Sequence, residues 1–175
     1  MTTKTQRLFF ALWPEPKLQQ AIYQQTKSSL SVCHGRLLPV EHFHITLSFL
    51  GSVDEKKRIC VEDMAGQIQA SAFSMALELL GFWKKPQVAW VAPEETPLQL
   101  NNLVEQLNLV LEKCGFETET RPFLPHMTLV RKAKRAPEVR NVEPLHWKVD
   151  KFVLVESQTL PQGAQYQILK QWLLK

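Results

Sequence analysis

The sequence predicts an α+β fold of two pseudo-symmetric lobes, with antiparallel-rich sheets lining a central groove and helices outside. Three observations predict it. The tetrapeptide His44-Ile45-Thr46-Leu47 nearly recurs as His126-Met127-Thr128-Leu129, 82 residues further along a chain of 175. Strand-like and helix-like segments run in the order strand, helix, strand, helix, hairpin, helix, strand, hairpin, which suggests two similar lobes with antiparallel-rich sheets. No low-complexity stretch or linker interrupts them, so residues 1–175 read as one domain whose lobes share a core.

Each segment has its own justification. Residues 7–13 are aromatic and aliphatic and stop at Pro14 and Pro16, as a buried strand does. Residues 17–29 place Leu18, Ala21 and Ile22 at helical spacing. Residues 33–40, with Gly35 and Pro39, form a connector. Residues 43–50 alternate as a strand closed by Gly51. Ser52 or Asp54 caps a second helix reaching about residue 69. Residues 73–80 alternate as a half-buried strand, residues 81–86 turn, and 87–91 return as its hairpin partner. Thr96-Pro97 starts the most strongly patterned helix, with Thr96 offering a capping hydroxyl. Leu100, Leu103, Val104, Leu107, Val110, Leu111 and Cys114 form its apolar stripe, and Gly115 ends it. The second His-x-Thr strand follows a proline-rich approach at 121–125. Residues 132–144 read as a basic loop, then 147–156 and 166–174 as two strands joined by a turn at 161–163.

Composition narrows the class. Hydrophobic content of 45% and charged content of 22% are those of an ordinary globular chain. A net charge of +4 suits a phosphate-bearing ligand without requiring one. Cys33, Cys60 and Cys114 are widely spaced with no Cys-x-x-Cys, which argues against a disulfide framework and fits a reducing cytoplasm. The apolar run 8–13 behind the basic opening is too short for a signal peptide, and no stretch approaches a membrane span. Nothing calls for assembly, so a monomer with no obligate protein partner and no membrane contact is expected.

In an extended strand, residues two apart share a face. His44 and Thr46 therefore point one way, as do His126 and Thr128, while Ile45, Leu47, Met127 and Leu129 point into a core. Two such strands facing each other make a cleft with two imidazoles and two hydroxyls. Histidine titrates near neutrality, so one can take a proton from water while the other gives one to a leaving oxygen. The threonines can donate to non-bridging phosphoryl oxygens where charge grows. A zinc set of His42, His44 and His126 is the competing reading. Leu124 stands where a second copy of His42 should be, and zinc leaves the threonines without a task, so no metal is assigned.

The paired tetrapeptides resemble the double His-x-Thr-x signature of the 2H phosphoesterases. The similarity extends to Arg7-Leu8-Phe9-Phe10-Ala11-Leu12, to Phe49-Leu50-Gly51, and to Arg121-Pro122-Phe123. That combination resembles the RNA 2′,3′-cyclic phosphodiesterase branch, historically called 2′-5′ RNA ligases. The resemblance implies a bilobal fold with the histidines in its groove. It implies hydrolysis of RNA 3′ ends or nucleotides bearing a 2′,3′-cyclic phosphate to a 2′-phosphomonoester, without cofactor. It makes His44 the proton donor to the 3′-oxygen and His126 the acceptor from water; the residue pattern alone leaves that order open. A 2′-5′ phosphodiester hydrolase or reversible ligase is the alternative within enzymes, and a non-catalytic RNA-binding module the alternative outside them. The absence of a Gly-rich Lys-Ser/Thr loop argues against ATP-driven ligation.

Phe49 lies five residues after His44, and Arg131 five after His126. Related by the repeat, they flank the groove from opposite lobes, where a base can stack between ring and guanidinium. Strict alternation puts both on the wrong face, so each strand must end, twist or bulge before them. Otherwise Phe49 is a core residue beside Leu47 and Arg131 a solvated strand end. Lys132, Lys134 and Arg135 can steer a phosphate backbone, although a solvated basic loop is the simpler account.

Overall fold

The computed structural model describes residues 5–175. Residues 1–4, part of the opening weighed as a signal peptide, lie outside the described residues. The chain forms β1 (Gln6–Leu12), α1 (Pro16–Leu30), β2 (Arg36–Leu37), β3 (Ile45–Val53), α2 (Glu55–Ala65), β4 (Phe73–Trp83), β5 (Val88–Ala92), α3 (Leu98–Lys113), β6 (Met127–Arg131), β7 (Asn141–Val149), β8 (Lys151–Leu160) and β9 (Gly163–Leu173). The predicted α+β class is the one observed.

All pairings are antiparallel, in the spatial order β7-β4-β5-β6-β3-β1-β8-β9, with β2 also on β6. The two halves of that order meet where β3 adjoins β6, through the single register pair Ile45↔Met127. Beyond it β6 takes β2 as its neighbour, with Arg36 opposite Arg131 and Leu37 opposite Val130. One half, β3-β1-β8-β9, combines the two ends of the chain; the other, β6-β5-β4-β7, comes from its middle. The helices are exchanged between them. α1, which links β1 to β3, packs on β7 of the other half, and α3 packs on β3 and α2. Leu100, Leu103, Leu107 and Leu111 of α3 join Phe10, Phe43, Ile45 and Phe152 in one buried core. That exchange ties the halves together without a linker.

Several local expectations change. Residues 147–156 form no single strand: the chain breaks at Asp150 between β7, on one edge of the sheet, and β8, next to the strand on the other edge. β7 begins at Asn141, inside the expected basic loop, and carries Pro144. Proline is tolerated there because an edge strand can spare an N–H. β4 extends to Trp83, so Gly81 lies within a strand. A Cβ at that position would collide with the Trp90 indole lying across it. α2 ends at Ala65 rather than near residue 69, and Asp54 Oδ1 caps it by accepting from the Lys57 N–H at 2.8 Å. Pro97 itself is the N-cap of α3, with no hydroxyl cap from Thr96.

The cysteines need a larger correction. Cys60 of α2 and Cys114, at the end of α3, form a disulfide across 54 residues, while Cys33 is free and buried. Spacing arguments look for local motifs and miss two thiols brought together by helix packing. Closing a loop of that length constrains the unfolded chain by about 2–4 kcal/mol. Among the described residues no helix is long and apolar enough to cross a membrane.

Candidate active site

The junction of the two halves places the repeated motifs against each other. From Ile45↔Met127, antiparallel counting sets His44 across from Thr128 and Thr46 across from His126. Ile45 and Met127 are fully buried on the core side, so the four polar side chains share the other face. The imidazoles are then diagonal neighbours, with Cβ atoms roughly 7–8 Å apart in a regular ladder. The two rings are close enough for a charge on His126 to act on His44.

Each ring is held in the same way. His44 Nδ1 lies 2.6 Å from the His42 carbonyl, and His126 Nδ1 lies 2.9 Å from the Leu124 carbonyl. In both repeats the residue two before the histidine supplies its backbone oxygen, so the side chain at that position is free to differ. A carbonyl only accepts, so each Nδ1 carries the hydrogen and each Nε2 is left for chemistry. His44 Nε2 meets Thr46 Oγ1 at 3.2 Å. Among the described residues, His126 Nε2 has no protein partner.

The face alternation is broken in both strands at the same place. Phe10 pairs with Ser48 but Ala11 with Thr46, leaving Leu47 as an extra residue in β3. Ala89 pairs with Val130 but Trp90 with Thr128, leaving Leu129 extra in β6. The leucine that closes each tetrapeptide is thus a bulge, and it is buried in both cases. One added residue shifts those next to it to the opposite face, until in β3 a second extra residue, Leu50, shifts the chain again. Phe49 is consequently 75% exposed rather than part of the core. Its ring lies 6.0 Å from that of Phe9, which is 5.2 Å from His44. Arg131 is exposed and near enough to oppose a charge on His44.

Aromatic rings that the sequence reading left unassigned enclose the histidines. Trp13 stacks on His44 with centroids 4.7 Å apart and planes 2° from parallel. Tyr166 meets His44 edge-on at 5.4 Å and His42 at 4.8 Å. Trp83, at the end of β4, lies 4.4 Å from His126 at 68°. A strand-end tryptophan and a residue 122 positions away carry no spacing signal toward His44.

Burial pushes His44 down to about 4, its Nδ1 bond to His42 opposes this, and Arg131, His42 and His126 push it further down. Burial also lowers His126, partly offset by the Leu124 carbonyl. Both rings are therefore neutral at neutral pH when the groove is empty. An anion placed between them raises both, because it favours the charged forms.

A duplicated His-x-Thr strand pair at the junction of two antiparallel half-sheets defines a bilobal α+β class with a paired-imidazole groove. The chain belongs to the 2′-5′ RNA ligase superfamily, whose family model matches residues 14–160. It is similar to the RNA 2′,3′-cyclic phosphodiesterase of Escherichia coli K12, with 29% identity over 174 residues covering 98% of each chain. It is also similar to the RNA 2′,3′-cyclic phosphodiesterase of Thermotoga maritima, with 32% identity over 140 residues covering 74% of each. Among solved structures, E. coli LigT complexed with 3′-AMP superposes with a TM-score of 0.90 at 29% identity, covering 98% of this chain and 99% of that one. The LigT complex with phosphate gives 0.87 at 27% identity, with the same coverage.

Proposed function

We propose that this chain hydrolyses the 2′,3′-cyclic phosphate at RNA 3′ ends, or on nucleotides, to a 2′-phosphomonoester. The observation that carries the reading is the pair of imidazoles at the junction of the half-sheets, each fixed through Nδ1 so that Nε2 is left for chemistry. In the proposed step His126 Nε2 removes a proton from water as its oxygen bonds to phosphorus. The bond from phosphorus to the 3′-oxygen breaks, and His44 Nε2–H delivers its proton to that oxygen. His126 ends protonated and His44 neutral, and exchange with solvent restores both. Thr46 and Thr128 donate to the non-bridging oxygens as their charge grows.

Because His44 is neutral in the empty groove, the substrate's own negative charge helps bring it its proton. Phe49 and Arg131, turned to the groove side by the two bulges, hold the terminal base between ring and guanidinium. The protein is read as one bilobal domain acting as a monomer on RNA in the cytoplasm, a placing that the cysteines no longer support because Cys60 and Cys114 are bonded.

Incubation with 2′,3′-cyclic nucleotides and defined oligonucleotides tests this directly. A 2′-phosphate product is expected. A 3′-phosphate, or recovery of the bound cyclic phosphate unchanged, overturns the reading, the second in favour of a binding module. Phe49→Ala is expected to weaken nucleotide binding about 5–100-fold by loss of base stacking, measured by titration calorimetry. Unaltered affinity removes the stacking role.

A further inference from the structure

We propose that Trp13 is a positioning residue that stabilises the charged form of His44, and with it the ability of that histidine to act as the acid. This rests on the reading of His44 as proton donor given above. The geometry is specific: the two rings are parallel within 2° at 4.7 Å, inside the distance at which an indole face attracts a cation. Indole is the strongest of the aromatic faces for this purpose. His126, the proposed base, has its tryptophan tilted at 68° instead. The two histidines share their backbone anchor and differ in their aromatic neighbour.

The surroundings make such a contribution matter. The charged and titratable groups facing His44 are His42 from the turn before β3, Arg131 and His126 from β6 and its approach, and Tyr166 from β9. The first three all oppose a positive charge there, and among the described residues no carboxylate acts on the ring. A donor histidine is usually sustained by a nearby acid; here the protein supplies a π face, and the substrate phosphate supplies the rest.

The test is a titration of ring-labelled His44 by NMR in the substrate-free protein, comparing Trp13→Leu and Trp13→Phe with the parent. If Trp13 were only an apolar lid, removing it would admit water and raise the His44 pKa. The proposal requires the reverse. Trp13→Leu should lower the midpoint by about 0.4–1.5 pH, with Trp13→Phe between it and the parent. Turnover of a 2′,3′-cyclic nucleotide at neutral pH should fall about 2–30-fold in the leucine variant and recover as the pH is lowered. An unchanged or raised midpoint overturns the proposal. Should the leucine variant not fold, the phenylalanine variant is read by the same sign. The NMR measurement needs no turnover, so an inactive parent protein overturns the cyclic phosphodiesterase reading while the His44 titration still decides the role of Trp13.

Discussion

Alanine at His44 or at His126 is expected to slow hydrolysis of a 2′,3′-cyclic nucleotide at least ~10²-fold, the scale of one lost proton transfer. Neither change should unfold the protein, since both side chains lie on the groove face, away from the core that Ile45 and Met127 enter. The double variant should be little worse than either single one, because acid and base act in one step. The pH profile carries further information. The proposed step requires His44 charged and His126 neutral. Burial lowers both histidines, so both limbs of the kcat/KM profile move to the acid side, and its maximum should fall below pH ~6.5. The limbs report the pair rather than either residue alone. In kcat, which reports the substrate-bound enzyme, both limbs should lie higher, because the bound anion favours the charged form of both rings. A profile that is flat from pH 4 to 9, or near-normal turnover in either alanine variant, defeats the acid–base assignment.

Valine at Thr46 or Thr128 keeps the shape of the side chain and removes its donor. Each is expected to lower kcat about 10²-fold with a smaller effect on KM, because the charge being stabilised develops in the transition state. The two should differ in pH dependence. Thr46 Oγ1 lies 3.2 Å from His44 Nε2, where a donated hydrogen favours the neutral ring. Loss of that hydrogen makes His44 easier to charge, so Thr46→Val should raise the midpoint of the His44 ring followed by NMR. Among the described residues no such contact ties Thr128 to His126, and Thr128→Val should leave the histidine midpoints in place. Retention of more than about a third of the parent kcat by both variants would exclude the threonines from transition-state stabilisation.

How much of this was legible beforehand differs from residue to residue. The α+β class, three helices and the two His-x-Thr strands follow from hydrophobic period and from the repeat. The conflict between alternation and the positions of Phe49 and Arg131 was also visible, and a bulge was among its possible solutions. Its location, at the leucine of both motifs, required the pairing partners in β1 and β5. The strand at 147–156 failed because periodicity is blind to which half of a sheet each side of Asp150 will join. The Cys60–Cys114 bond failed because thiols 54 residues apart have no local signature.

By itself the sequence determined that His-x-Thr-Leu comes in two matched copies on strands, since composition and a two-residue period are properties of neighbours along the chain. Only the tertiary structure decided that the sets meet at one register pair, that bulges turn Phe49 and Arg131 outward, and that Trp13 lies flat on His44. Those outcomes depend on which strands pair and which helices cross between halves. Such choices minimise the free energy of the whole chain and leave no trace in any short stretch of it.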